Sequence, residues 1–348
     1  MTSEAIDFDC QESFEQAIHA YVGQEVAPRT RGLDPVNATM IRHWCEVMGD
    51  TNPVYTDEVL ARDSVKGGLI APPSMLQVWS MEGYPMAFDA LEGTPLDLQK
   101  ELHDVFNRGG YPSVVGTNCI QTYERDLRPG DEVYFRTVID SISEQKTTAL
   151  GTGYFIETKT EFTDAQGGAV GSMIFRVLKF RPHGQSEGAA APVSAPVDVA
   201  AVAIAAEPQG LKRLDFGSVG VGDQLPSFEI PVTAGLIVGG AVASRDFTPV
   251  HHNKAAAEAQ GMQDVFMNIL TSGGLLGRYV SDWAGSEARV KSMNLKLGAP
   301  NFPGFTMTVS GEVTELDATT GELSLKVVGT NAWGMHAQAN MVLELPVA

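Results

Sequence analysis

Residues 265–283, VFMNILTSGGLLGRYVSDW, decide the fold of this 348-residue chain. The stretch is apolar on nearly all sides, which predicts a helix buried inside the protein rather than one lying on its surface. Gly273, Gly274 and Gly277 are costly in the interior of a helix. We therefore expect these glycines to let the backbone of a β-sheet approach the helix closely.

Strand-like segments surround this helix. A strand at 226–233, a short helix at 236–244 and a loop at 245–251 are expected before it. Alternating apolar and polar residues predict further strands at 288–298, 305–316, 322–333 and 336–346. A buried helix wrapped by a long antiparallel sheet is the hotdog architecture, an α+β fold.

The N-terminal half repeats this layout. GDTNPVY (49–55) is similar to RDFTPVH (245–251), and LRPGDEVYFRTVIDSI (127–142) is similar to NFPGFTMTVSGEVTEL (301–316), in the same order along the chain. Two ordered matches indicate duplicated domains, here a double hotdog. We expect the central helix of the N-terminal half near residues 73–86 and its strands between 118 and 180. Residues 83–115 have no counterpart in the C-terminal half.

A stretch rich in Ala, Pro and Val, without aromatic residues, separates the two halves. Such a stretch cannot anchor a core, so residues 183–209 are predicted to form an interdomain linker. A strap packed along the surface is the alternative. The predicted boundaries are a first domain over 1–182 and a second domain over 210–348.

Composition argues against several classes of function. Lys and Arg number 24 and Asp and Glu 43, so the formal net charge of −19 disfavours binding to nucleic acid or to an anionic membrane. Cys10, Cys45 and Cys119 show no spacing typical of a disulfide framework or a zinc site, and no metal site is expected. The sequence lacks a signal-like or membrane-spanning apolar run, so we expect a cytoplasmic protein.

Asp246 and His251 are the strongest candidates for catalysis. Five residues of separation around a turn stiffened by Pro249 can bring a carboxylate and an imidazole to one small site. Such a pair can hold a water molecule and move protons, which is general acid–base chemistry. Alternatively, Asp246 caps a helix starting near Asn253, and His251 is a loop histidine with satisfied hydrogen bonds.

The segment RDFTPVHHNKAAAEAQGM (245–262) resembles the signature of the MaoC-like, (R)-specific enoyl-CoA hydratases, Gly-Asp-x-Asn-Pro-(aliphatic)-His. The resemblance implies that Asp246 and His251 are the catalytic pair. Arg245 and Thr248 replace the Gly and the Asn of the signature, and Thr248 is expected to take over part of the orienting role of the Asn.

The same family opens its central helix with a His-Gly pair, and the glycine N–H binds the thioester oxygen of the substrate. Counting along the match places Asn268 and Ile269 at these two positions. A backbone N–H survives the change from Gly to Ile, so the resemblance implies that Ile269 supplies the oxyanion donor.

GDTNPVY keeps Asp50 and Asn52 of the signature but carries Tyr55 in place of the histidine. A phenol with a pKa near ~10 replaces imidazole poorly at neutral pH, so the N-terminal half is expected to be catalytically degenerate. Asp50, Asn52, Tyr55 and Ser272 of the buried helix are then candidates for shaping the substrate pocket. The alternatives are turn capping by Asp50 and Asn52, and a Ser272 hydroxyl bonded to its own helix backbone.

Longer stretches of the N-terminal half, such as APPSMLQVWSM (71–81) and YPSVVGTNCIQTYERDLRPGDEV (111–133), look like the N-terminal hotdog subunit of actinobacterial steroid side-chain hydratases. Those enzymes pair a degenerate chain with a catalytic one, and here the two are fused. The resemblance implies a bulky steroid acyl-CoA from cholesterol or bile-acid side-chain catabolism as substrate. It also implies no cofactor beyond the coenzyme A that the substrate carries, a homodimer of fused chains, and a downstream aldolase.

Three alternatives remain open at this point. One is another hydratase of the same superfamily, such as a mesaconyl-CoA-type hydratase or a 3-hydroxyacyl dehydratase. The second is a non-catalytic acyl-CoA binding protein, because one half is already degenerate. The third is a thioesterase, which shares the hotdog fold.

Overall fold

A computed structural model of the chain describes residues 6–8, 10–87, 97–183 and 210–347. The described strands of the N-terminal half are β1 (Glu25–Arg31), β2 (Ser113–Tyr123), β3 (Tyr134–Ile142), β4 (Lys146–Thr147), β5 (Gly151–Thr163) and β6 (Ala169–Pro182). Those of the C-terminal half are β7 (Gln224–Pro231), β8 (Arg289–Leu297), β9 (Thr306–Asp317), β10 (Glu322–Asn331) and β11 (Gly334–Glu344).

All of these strands belong to one antiparallel sheet. Its order is β1-β3-β5-β6-β2-β8-β11-β10-β9-β7, and β4 pairs with β5. The two halves of the chain meet at the seam between β2 and β8, where five residue pairs run from Asn118 opposite Lys296 to Thr122 opposite Ser292. The α+β prediction and the positions of the four strands after the buried helix are confirmed.

The described α-helices are α1 (Gln11–His19), α2 (Ala38–Met48), α3 (Pro53–Thr56), α4 (Glu58–Asp63), α5 (Asp97–Arg108), α6 (Ala234–Ala243), α7 (Lys254–Ala259) and α8 (Ile269–Ala284). The large hydrophobic core lies between the sheet and helices α2, α6 and α8. A second, smaller core lies under α1 and α5 at the β3–β5 side of the sheet. No helix among the described residues is long and apolar enough to cross a membrane.

Helix α8 is the buried central helix of the C-terminal half. It begins at Ile269, four residues later than predicted, because the Asn268 side chain caps it by accepting a hydrogen bond from the Thr271 N–H at 2.8 Å. A Cβ atom on Gly274 would lie 2.6 Å from Cζ2 of Trp44. The expectation that the sheet backbone approaches these glycines is therefore wrong at Gly274, which makes room for side chains of α2.

The N-terminal half has no α-helix over 73–86, so that expectation is wrong as well. Two 3₁₀ helices, Pro73–Ser80 and Tyr84–Ala87, stand there instead. Pro72 is the N-cap and Pro73 the first residue of the first 3₁₀ helix, positions where a missing N–H is tolerated, and Gly83 has a left-handed φ of 79°. Eight 3₁₀ residues span about 16 Å, whereas the sixteen residues of α8 span about 24 Å.

The segment 83–115, which the C-terminal half lacks, contributes α5 over the N-terminal side of the sheet. The predicted linker lies outside the described residues except for its first position, His183.

Candidate active site

Asp246 and His251 come together in the connection between α6 and α7. Oδ2 of Asp246 lies 3.6 Å from Nε2 of His251, and each side chain is about 10% exposed. The separation is longer than a direct hydrogen bond and suits a water molecule that contacts both groups. The pair predicted from the five-residue spacing is thus adjacent in space.

The hydrogen bond of His251 fixes which ring nitrogen carries the proton. Nδ1 lies 2.7 Å from the carbonyl oxygen of Phe266, which can only accept, so Nδ1–H is the donor. In the neutral ring Nε2 therefore has a lone pair directed toward Asp246. This is the tautomer that a general base at Nε2 requires.

Three hydrogen bonds hold the Asp246 carboxylate. Thr248 donates its hydroxyl to Oδ1 at 2.6 Å and its N–H to the same oxygen at 3.2 Å. Asn268 donates its amide to Oδ2 at 2.9 Å. The structure thus gives Thr248 an orienting contact on the carboxylate. Asp246 does not cap α7, because Asn253 does so through the N–H of Ala256 at 3.3 Å.

Asn268 is a site residue to which the sequence analysis gave no role. Its amide nitrogen contacts Asp246 and the Ser244 hydroxyl, and its oxygen caps α8. One side chain therefore ties the start of the central helix to the carboxylate. An Asn directly before a long apolar helix is a capping signal, but its second contact depends on the fold.

Arg245 occupies the glycine position of the signature in a left-handed conformation, with a φ of 59°. Such a conformation costs a non-glycine residue about 1–2 kcal/mol. The guanidinium offsets this cost by donating to the carbonyl oxygens of Met81 and Glu82 at 3.3 Å, and it lies 3.7 Å from the Asp34 carboxylate. A residue of the Asp246 loop is in this way anchored on the N-terminal half.

Ile269 is the first residue of α8. The first N–H groups of a helix have no acceptor within the helix and lie at the positive end of its dipole. Ser272 points elsewhere, since its buried hydroxyl lies 2.9 Å from the Asn268 carbonyl and 2.9 Å from Nε2 of His336. The structure thus gives Ser272 the contact to its own helix backbone and does not place it on the cleft described next.

A cleft of about 1300 Å³, its open mouth included, extends from Asp246 and His251 across the N-terminal half of the sheet. Thr248, Asn268 and Ile269 line it from the C-terminal half. Its opposite wall is formed by inward-facing side chains of β3, β5 and β6, the strands that the 3₁₀ helices leave uncovered. Both halves therefore contribute to this one cleft.

Asp50, Asn52 and Tyr55 do not line this cleft. They lie at the far end of α8, where Asn52 donates its amide to the Ser281 hydroxyl at 2.9 Å and accepts from the Ser286 hydroxyl at 2.9 Å. Asp50 and Tyr55 instead line a separate cavity of about 440 Å³, its open mouth included, beside the last turns of α8.

The two loops nevertheless share one construction. The N–H of Asn52 donates to Oδ1 of Asp50 at 3.0 Å, as the N–H of Thr248 does to Asp246. Asn52 also caps α3 through the N–H of Val54 at 3.3 Å. The turn-capping interpretation of Asp50 and Asn52 accounts for these bonds.

No group of three or more His, Cys, Asp or Glu side chains that could hold a metal ion occurs in the described part of the chain.

Comparison with known proteins agrees with this geometry. Residues 20–173 match the family described as FAS1-like, dehydratase domain region. A solved MaoC-like dehydratase superposes with a TM-score of 0.71 over 94% of this chain and 100% of its own length, at 21% sequence identity. This likeness establishes the double hotdog fold of the class.

Sequence relatives place the chain more narrowly. A probable enoyl-CoA hydratase alpha subunit of Thermomonospora curvata is 42% identical over 171 residues, 49% of this chain and 53% of its own. The 3-oxo-4,17-pregnadiene-20-carboxyl-CoA hydratase of Mycobacterium tuberculosis matches with both subunits. Its alpha subunit is 40% identical over a match that covers 43% of this chain and 47% of the subunit. Its beta subunit is 46% identical over a match that covers 36% of this chain and 95% of the subunit.

The chain spans about half the length of the two alpha subunits and nearly all of the beta subunit. It belongs to the MaoC-like hotdog family of hydratases and dehydratases.

Proposed function

We propose that this chain hydrates the α,β-double bond of a CoA thioester whose acyl group is bulky. The observation that carries the proposal is the Asp246–His251 pair, 3.6 Å apart, at the wall of a cleft of about 1300 Å³. The names of the relatives, enoyl-CoA hydratase and pregnadiene-carboxyl-CoA hydratase, support this chemistry.

In the proposed mechanism, Asp246 and Nε2 of His251 hold a water molecule between them. Nε2 accepts a proton from this water while the water oxygen forms a bond to the β-carbon. At the same time, the electron pair of the double bond moves toward the carbonyl oxygen of the thioester. The His251 imidazolium then returns a proton to the α-carbon, so that water has been added across the double bond.

The enolate oxygen of this reaction needs a hydrogen-bond donor. The N–H of Ile269 at the N-terminus of α8 meets that need, since it has no acceptor within its helix. Loss of such a donor typically costs about 2.7–4 kcal/mol of transition-state stabilisation. No metal or redox cofactor is part of the proposal, because the thioester itself makes the α-carbon acidic.

The acyl group of the proposed substrate is a fused-ring steroid chain. The size of the cleft and the relative acting on a pregnadiene-carboxyl-CoA support this choice over a small, polar acyl group such as mesaconyl. The proposal extends to a dimer of fused chains and to an aldolase that consumes the tertiary alcohol product.

The proposal is tested by assaying a steroid enoyl-CoA with a short unsaturated side chain beside crotonyl-CoA. Loss of the conjugated thioester absorbance and a mass gain of one water report hydration. We expect hydration of the steroid, and a loss of about 10²–10⁴-fold in rate for Asp246→Asn and for His251→Ala.

His43→Ala, a change at an exposed histidine on α2, serves as the control and should keep full activity. Hydration of crotonyl-CoA but not of the steroid would show that the proposed steroid substrate is wrong. Release of free CoA thiol without hydration would replace the proposal with a thioesterase. Binding of both thioesters without turnover would replace it with an acyl-CoA binding protein.

A further inference from the structure

The cleft crosses the sheet and ends beneath α5. Its lining includes Gly116 of β2, Phe175 of β6, Thr158 of β5 and Phe135 of β3, which are consecutive strands of the sheet. Three strand spacings amount to about 14 Å. Ile269 lies at the β2 end, where a Cβ on Gly116 would be 3.7 Å from its Cγ2. The β3 end is therefore remote from the reacting groups.

Gln99 and His103 bring polar side chains to this remote end. They are four residues apart on α5 and so share one helix face. Both line the cleft and an adjoining cavity of about 280 Å³ whose other walls include the buried Leu102, Ile139 and Ile156. The structure records no hydrogen bond to either side chain from the residues that it describes.

The electrostatics at this end favour an uncharged ligand group. Burial, with a smaller contribution from the nearby Lys179 ammonium, lowers the pKa of His103 to about 4, so the imidazole is neutral at neutral pH. Lys179 itself is engaged elsewhere, since it donates to Oδ1 of Asn107 at 2.7 Å and to the Pro112 carbonyl at 2.9 Å. A neutral imidazole and a neutral amide can each donate one hydrogen bond to an oxygen.

We propose that Gln99 and His103 form a subsite that hydrogen-bonds an uncharged carbonyl or hydroxyl oxygen at the end of the acyl group remote from the thioester. The inference rests on the proposed function, which places the thioester at Asp246 and Ile269. Two hydrogen-bond donors at this end discriminate between ligands, because a ligand without the oxygen leaves them unpaired.

The test compares two polycyclic enoyl-CoAs that differ only in a ketone on the ring farthest from the thioester. We expect the wild-type protein to prefer the ketone by about tenfold in kcat/KM, the equivalent of one net hydrogen bond. His103→Leu and Gln99→Leu should lower kcat/KM for the ketone about threefold each, since the two groups share the tenfold preference, and leave the hydrocarbon unchanged. His103→Gln, which can still donate, should restore part of the preference.

Equal losses on both substrates in the two leucine variants would overturn the subsite and indicate a structural role for these residues. Binding of the saturated forms of the same two acyl-CoAs, measured by calorimetry, separates this outcome from failure of the proposed function. A ketone preference in binding that weakens in His103→Leu would support the subsite even if neither enoyl-CoA is hydrated. Equal binding of both would overturn it.

Discussion

Asp50 is a buried carboxyl group in the loop of the N-terminal half that corresponds to the Asp246 loop. Burial, with a smaller contribution from the Asp282 carboxylate, raises its pKa to about 7 against the opposing effects of the Asn52 N–H and the Arg278 guanidinium. Burial raises the pKa of its neighbour Tyr55 further above the ordinary range of a phenol. The N-terminal half thus carries an acid that the fold holds partly protonated at neutral pH.

Because Asp50 is buried, we expect the stability of the folded protein to depend on pH through this residue. The unfolded chain releases the Asp50 proton near pH 3.8 and the folded chain near pH 7, so the folded state binds more protons between these values and stability falls as pH rises. Asp50→Asn keeps an oxygen that accepts the hydrogen bond from the Asn52 N–H, but it removes the titrating group. The variant should therefore lose less stability as pH rises, and the difference should be about 1.4 kcal/mol in unfolding free energy for each unit of pKa shift.

Urea unfolding at pH 5 and at pH 8 measures this effect. Asp140→Asn, at an exposed position of β3, is the matched control and should follow the wild type at both pH values. An Asp50→Asn variant with the same pH dependence as the wild type would contradict the prediction.

Local spacing predicted part of the site, and the fold supplied the rest. The Asp246–His251 pair could be predicted because five residues around a proline turn set the distance. The bond from Asn268 to Asp246 spans 22 residues and the bond from Asn52 to Ser281 spans 229. Contacts of that range depend on how the halves pack, which no local pattern encodes.

The central helices of the two halves differ in length and type. Helix α8 is sixteen residues long and its last turns reach Asn52, whereas the 3₁₀ helix over Pro73–Ser80 has eight residues, and the Met81 and Glu82 carbonyls after it accept hydrogen bonds from Arg245 of the Asp246 loop. The sequence predicted a helix in both places because both segments are apolar. Pro72 and Pro73 stand at the N-cap and the first position, where an α-helix also tolerates proline, so no local pattern distinguished the 3₁₀ helix from an α-helix.

If the uncovered strands hold the acyl group, a larger side chain on them should exclude only large substrates. Thr158 of β5 lines the cleft midway between β2 and β3. We expect Thr158→Phe to lower kcat/KM for a steroid enoyl-CoA at least tenfold, because an added ring occupies the path of the fused rings. Activity on crotonyl-CoA, which does not reach β5, should stay within about twofold of wild type.

Thr314→Phe, at an exposed position of β9, is the control for an added phenylalanine and should leave both activities unchanged. An equal loss on both substrates in Thr158→Phe would indicate a general disturbance of the fold and contradict the prediction.

At the scale of the whole molecule, one sheet joins the two halves through the β2–β8 seam. Alternating apolar and polar residues predicted most strands, since that pattern is local. The order of the strands was not predictable in the same way, because the seam joins residues 170 to 178 positions apart. Each half alone would expose a long strand edge at this seam.

Because the two halves pair through β2 and β8, we expect two separate fragments of the chain to assemble into an active protein. Fragments 1–183 and 210–348, produced together, should assemble in equal amounts through β2 and β8 and recover activity. Each fragment produced alone should aggregate, because β2 or β8 then becomes an unpaired edge. Affinity purification with a tag on one fragment, followed by sedimentation, measures the assembly. Two fragments that stay monomeric and soluble when mixed would contradict the prediction.

Joining both halves in one polypeptide also has a consequence for gene dosage. Where two separate genes supply the halves, any imbalance in their expression leaves a surplus of one half with its seam strand bare. A single reading frame delivers the two in a strict one-to-one ratio at every expression level. It also prevents either half from being made without its counterpart.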